Sequence, residues 1–196
     1  MMKQWFTKKE REEKIYWHEP RASVKIAREL YSHLPAFENR PIIFICIGTD
    51  RSTGDSLGPL VGSLLKRRYL PANFHVYGNL EDPIHAMNLE EKLMEIEKKY
   101  SLGFFVGIDA CLGQSQSIGS IQIQEGPIKP GAGVQKSLPP VGNIHIKGIV
   151  NVGGYMEFFV LQNTRLYIVM KMAECIAEGI YKMGQIFERG KVCRSD

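Results

Sequence analysis

The chain of 196 residues has few cysteines, and none are spaced to act together. Cys46, Cys111, Cys175 and Cys193 form no C-x-x-C pair, which excludes the common zinc frameworks. They read as reduced thiols, the state maintained in a cytosolic compartment. Long uncharged apolar runs are also missing. No stretch reaches the roughly eighteen residues of a membrane-span candidate, and the opening "MMKQWFTKKEREEK" has no apolar segment of the kind a secretory signal carries. A cytoplasmic protein without a membrane partner is therefore expected. Charge of one sign is scarce as well. The net charge is +4, and "KKEREEK" at 8–14 mixes both signs as a solvated helix face does. Without a dense basic stripe interleaved with aromatics, no nucleic-acid partner is expected.

What remains is the composition of an ordinary globular protein, 44% hydrophobic and 23% charged, in a length that suits one domain with a sizeable core. Residues 1–20 are polar and carry two Trp, suggesting an arm that docks on the body or a partner. Val24, Ala27, Leu30, Tyr31 and Leu34 recur at helical spacing, and Pro35 stops the helix. "PIIFICIG" at 41–48 is a continuous apolar run, as in a parallel strand covered on both faces. A helix is predicted over 57–69, and "NFHVYGNL" from 73 reads as a strand. The next predicted helix has Pro83 in its first turn and carries Ile84, Met87, Leu89, Leu93, Met94 and Ile96. "GFFVGIDA" at 103–110 is a third buried strand, which completes a βαβαβ pattern.

The pattern then changes. "IGSIQIQE" at 118–125 alternates like an antiparallel or edge strand. Residues 126–143, "GPIKPGAGVQKSLPPVGN", hold four Gly and four Pro with no apolar period. A loop of that length inside a domain is usually functional or disordered, and here a cleft-edge flap is expected. "IHIKGIVNV" returns as a strand, and Tyr155 to Phe187 reads as a largely buried helix broken near its start.

In such a sheet, ligands bind at the carboxyl ends of strands where the winding direction reverses. Asp55, in the loop "CIGTDRSTGDSLGP" (46–59), and Asp109, ending the third strand, would meet there. Two carboxylates in one cleft raise one pKa and can divide acid and base roles. The alternative reading is that Asp55 caps the helix beginning at Ser56 and Asp109 merely ends a strand. A phosphate loop does not fit: neither G-x-G-x-x-G nor a Gly-Lys-Ser/Thr ending is present, and Asp50 and Asp55 would repel phosphate. Cys111 could be a nucleophile only with a base, for which His145 is the nearest candidate, and it reads as a structural thiol. Asp55, Asp109 and His145 as three metal ligands would suit zinc or nickel, but His145 reads as a strand residue.

Two segments carry a resemblance. "GTDRSTGDSLGP" resembles the first motif of the bacterial spore germination proteases, which ends Asp-Ala-Leu-Gly-Pro. "IDACLGQSQSIGSIQIQEGPIKPGAGV", 108–134, resembles their second, with its Ile-Asp-Ala segment, Ile-Gln-Ile and Pro-Gly-x-Gly-Val loop. The compact size is more similar to the smaller YyaC-type sporulation proteins, and a more distant likeness is to the hydrogenase maturation endopeptidases. The resemblance implies a three-layer α/β/α sandwich of phosphorylase/hydrolase-like type, with a mixed, mostly parallel sheet. It implies an N-terminal arm and helix (1–40) packed on a germination-protease-like body (41–196), one domain overall.

It further implies an atypical aspartic peptidase in which Asp55 and Asp109 are catalytic. Thr49, Asp50, Ser56, Lys129, Gly131 and Gly133 are expected at the substrate. The partner would be a protein or peptide, spore proteins included, in the cytoplasm, forespore or spore core, and a homo-oligomer stays open. No cofactor and no metal are expected, although the hydrogenase endopeptidases hold nickel with an acidic residue at each of the same two places. Here Gly48-Thr49 replaces the germination proteases' Gly-Asn turn, and the chain is shorter than theirs, which leaves two alternatives: a non-catalytic spore assembly or binding protein on the same fold, or a metal-dependent protein like the maturation endopeptidases.

Overall fold

The computed structural model describes residues 14–35, 40–131 and 138–192. Six strands form one sheet: β1 (Ile15–Tyr16), β2 (Ile42–Cys46), β3 (Phe74–Tyr77), β4 (Phe104–Gly113), β5 (Ser120–Glu125) and β6 (Ile144–Val152), in the order β1-β5-β6-β4-β2-β3. β2 pairs in parallel with β3 and β4, and β4 with β6, whereas β5 is antiparallel to both β6 and β1. The sheet is mixed and mostly parallel, with helices on both sides.

Strand alternation divides the core. In β2, Ile42, Phe44 and Cys46 join the cluster that holds α1 (Ala22–His33), α2 (Leu57–Lys66) and α5 (Leu166–Val192). Ile43, Ile45 and Ile47 join the opposite cluster, with Leu89, Leu93 and Ile96 of α3 (Leu89–Lys99) and with Ile128 and Val141. Every residue of β2 is buried, as a strand covered on both faces requires. α1 buries Ala22, Ile26, Ala27 and Leu30 at the spacing of one helical face.

Two sequence readings are corrected, the helix at Pro83 and the burial of the C-terminal run. Pro83 does not open a helix, because Asn88 imposes a turn. Its Oδ1 accepts the His85 N–H at 2.8 Å and its Nδ2 donates to the Pro83 carbonyl at 3.0 Å, so α3 begins at Leu89. Met87 and Met94 are then exposed rather than core. β5 is antiparallel, as its alternation predicts, and the short strand Ile15–Tyr16 adds to its outer side. The C-terminal run breaks at Asn163–Arg165 into α4 (Glu157–Gln162) and α5. It is not buried throughout: α5 keeps one buried stripe, from Val169 to Phe187, while Tyr155, Phe158 and Phe159 stand exposed.

Candidate functional site

The site begins where two neighbouring strands end at different heights. β2 pairs with β4 only as far as Cys46 and Ile108, and the Ile47 N–H closes the ladder on the Ile108 carbonyl at 2.8 Å. β4 continues alone beside β6 to Gly113. Asp109 is thus the first β4 residue beyond β2, at the switch point where the chain winds to β3 on one side of β2 and to β4 on the other.

The chain leaves β2 through Gly48, whose φ is 137°. A Cβ at this position would lie 1.9 Å from the Asp55 carbonyl oxygen. Only glycine permits both the backbone angle and the close approach. The Thr49 N–H donates to that carbonyl at 3.1 Å, and the Gly48 N–H donates to the Ile84 carbonyl at 2.8 Å. These two bonds fold the loop over the strand end and tie it to the segment after β3. Asp55 then falls in a short helical turn, Gly54–Ser56, leading into α2. Neither that turn nor α2 has a side-chain cap, so the capping explanation for Asp55 does not apply.

Asp55 and Asp109 line one cleft of about 330 Å³, together with His85, Ser52, Met87 and Phe158. Asp109 is 5% exposed. Burial pushes its carboxyl well above the usual carboxylate range and the Asp55 charge pushes it further, against a hydrogen bond accepted from the Ala110 N–H at 2.9 Å. Asp55 is half-buried, and burial raises it too, but the Thr49 amide and the His85 ring work in the opposite direction. Burial and the neighbouring charge thus favour a proton on Asp109 over one on Asp55. His85 accepts the Met87 N–H on Nδ1 at 3.3 Å.

Of the other sequence candidates, Thr49 and Gly131 line the cleft, Gly131 with a φ of 125°. Asp50 and Lys129 are exposed and are not brought to it. Ser56 is buried with its hydroxyl committed to the Thr53 carbonyl at 2.7 Å, so it too stands outside the cleft lining. Gly133 lies outside the described residues. The Gly/Pro-rich segment is anchored at both ends, since Ile128 and Val141 exchange backbone hydrogen bonds at 2.9 Å, and Leu138 joins Gly131 in the cleft.

His145 is elsewhere. Its Nδ1 meets the Gly126 carbonyl at 2.8 Å and its Nε2 meets Gln124 at 3.1 Å. Burial raises the thiols of Cys46 and Cys111 to about 12, so neither is a thiolate at neutral pH. Among the described residues no three His, Cys, Asp or Glu side chains are placed to hold a metal ion.

Sequence reasoning missed Ser52, His85, Met87 and Phe158. The helix predicted from Pro83 hid His85 and Met87, although Asn88 three residues after His85 is a turn signal. Phe158 was counted as core because it lies in an apolar run.

The fold and the site define an α/β/α protein with a buried aspartate pair at the carboxyl ends of its central parallel strands. The chain belongs to the family described as "Protein of unknown function (DUF1256)", whose model matches residues 14–179. It is similar to "Uncharacterized protein YyaC" of Bacillus subtilis (strain 168), at 54% identity over 176 residues, covering 89% of this chain and 85% of that protein. Among solved structures it is similar to the NiFe hydrogenase maturation protease HycI from Thermococcus kodakarensis KOD1. That match has 18% identity and a TM-score of 0.46, and covers 78% of this chain and 98% of that one. No helix among the described residues is long and apolar enough to cross a membrane.

Proposed function

We propose that this protein is a peptidase of the sporulating cell, with Asp55 and Asp109 as its acid/base pair. The observation that carries this reading is the unequal environment of two carboxyl groups in one cleft, Asp109 buried and Asp55 half-buried. Carboxyl groups whose surroundings push them apart in this way can divide proton donation from proton abstraction. In the reaction, Asp55 takes a proton from a water molecule as its oxygen bonds to the substrate carbonyl carbon. Asp109 gives its proton to the leaving nitrogen as the C–N bond breaks. Thr49 and Gly131 border the substrate. The sporulation setting and the choice of spore proteins as substrates are supported by the motif resemblance, in "GTDRSTGDSLGP" and in the segment from Ile108.

The test is incubation of the purified chain with small acid-soluble spore proteins and with a peptide library, followed by mass spectrometry. Discrete new termini are expected, and they should be absent with Asp55→Asn or Asp109→Asn. A second reading, a binding protein of spore assembly on the same fold, is favoured by one observation: Tyr155, Phe158 and Phe159 stand exposed, and Phe158 lines the cleft. Intact substrates recovered in complex with the protein would favour that reading.

A further inference from the structure

One polar atom at the cleft is left without a partner. Ser52 is 8% exposed, it lines the cleft with the two aspartates, and its buried Oγ makes no hydrogen bond. Two other hydroxyls of the same loop are engaged: Thr49 Oγ1 accepts the Arg51 N–H at 3.3 Å, and Ser56 Oγ donates to Thr53. Buried hydroxyls are nearly always satisfied in folded proteins, by the chain, by water or by a ligand, and Ser52, which the chain leaves unsatisfied at a cleft, is a candidate contact for what binds there.

The surroundings limit what that partner is. Ser52 shares the cleft with Asp55 and Asp109, which disfavour an anionic acceptor such as phosphate or carboxylate. A neutral carbonyl oxygen can accept the Ser52 proton without that repulsion. The rest of the lining is largely apolar: Leu138, Leu161, Met87 and Phe158. Met87 is 86% exposed and Phe158 53% exposed, an unbranched thioether and an aromatic ring left facing solvent at a binding cleft. A ligand that offers a carbonyl next to a bulky apolar group satisfies both features.

We propose that Ser52 donates its hydrogen bond to a backbone carbonyl of a bound peptide, whose bulky apolar side chain packs between Met87 and Phe158. This assignment rests on the reading of the cleft as a peptide site and adds its selectivity, for Phe- or Leu-containing segments over polar or charged ones. Ser52 is a positioning residue, because it holds the peptide for the aspartates without taking or giving a proton in the reaction.

Binding and hydrolysis are measured separately. Binding uses the full chain carrying Asp109→Asn, titrated into fluorescein-labelled, end-blocked decapeptides that differ only in a central Phe, Leu, Ser, Asp or Lys. The Phe and Leu peptides are expected to bind at least about ten-fold more tightly than the other three, the scale set by removing an apolar side chain from a pocket. Adding Ser52→Ala should weaken the Phe peptide about ten-fold, on the scale of one buried hydrogen bond. The melting temperature of the unbound protein should hold or rise, since the hydroxyl has no partner to lose. Adding Phe158→Ala should erase the preference for Phe over Ser with little change in melting temperature.

Equal affinity for all five peptides, or no binding of any, would overturn the proposal. An unchanged affinity with Ser52→Ala would do the same, since it would mean that Ser52 meets only water. A fall in melting temperature with Ser52→Ala would show the hydroxyl to be structural. Selective binding without cleavage by the native chain would support the inference while removing the peptidase reading. Cleavage without selectivity would do the reverse.

Discussion

Asp109 and Asp55 are both raised above the ordinary carboxylate range, Asp109 by burial and by its neighbour's charge, Asp55 by burial. The sign of the linkage follows. A carboxyl group with a higher pKa folded than unfolded binds more protons in the native state, so it contributes stability at acid pH that is lost as pH rises through the folded pKa. Replacing Asp109 with Asn removes that loss. Asp109→Asn is therefore expected to raise the melting temperature at pH 7 to 8, with the gain shrinking as the solution is acidified through the raised pKa of folded Asp109 and gone once the usual carboxylate range is reached. Thermal unfolding of both proteins across that pH range checks it. A constant difference, or a destabilised variant at neutral pH, would remove Asp109 from the role of proton-holding partner.

The thiols permit a second prediction at this scale. With Cys46 and Cys111 raised to about 12, iodoacetamide applied to the native protein at pH 7.5 should leave both unmodified by peptide mass mapping. Rapid alkylation of Cys111 would reopen a thiol nucleophile. The placement of the aspartates was legible in the sequence because Asp109 follows the apolar run of a buried strand and Asp55 lies in the polar loop after another. β4 continues past Asp109 to Gly113, however, so the sequence reading ended that strand too early. Ser52 was not, because nothing in "RSTGDS" distinguishes a hydroxyl that finds a backbone partner from one that does not.

Among the elements, the loop from β2 to α2 depends most on close backbone approach. Gly48→Ala would place a methyl group against the Asp55 carbonyl in a backbone region that L-residues avoid. It should cost about 1–3 kcal/mol from backbone strain alone, and displace Asp55 so that cleavage falls even where the protein stays folded. Chemical denaturation together with the cleavage assay separates the two effects. Wild-type stability and activity would contradict the loop geometry.

At Gly179 two effects oppose each other. Alanine improves helix propensity in α5 by up to about 1 kcal/mol, but its Cβ would lie 2.4 Å from Ile26 Cγ2 of α1. Overpacking of a core typically costs about 1–3 kcal/mol. The second effect is expected to win, so Gly179→Ala should lower stability in urea denaturation, whereas a stabilised variant would mean that α1 can move away from α5. The strands were readable from the sequence because a buried parallel strand is a continuous apolar run, as in "IIFIC". The segment from Pro83 to Asn88 was not, because its apolar residues mimic helical spacing while Asn88 side-chain bonds set the backbone.

For the whole molecule, the winding order of the sheet produces the site. Because β2 lies between β3 and β4 and stops short of β4, connections after β2 and β3 converge on the first β4 residue without a β2 neighbour, and that residue is the buried Asp109. α4, which follows β6, adds Phe158, Leu161 and Gln162 to the cleft wall. The parallel core and its strand-end chemistry could be inferred from the βαβαβ pattern. The rim could not, since whether an apolar helix such as α4 faces the core or solvent is decided by what packs on it. The central claim is that the aspartate pair performs general acid/base hydrolysis of peptides. The most direct measurement is the rate of peptide cleavage by the native chain, Asp55→Asn and Asp109→Asn, each checked for folding by thermal unfolding. The expected result is a loss of about 10²–10⁴-fold in rate for either substitution, in proteins at least as stable as the native chain at neutral pH. Native rates in both variants, or a loss of rate matched by loss of fold, would contradict it.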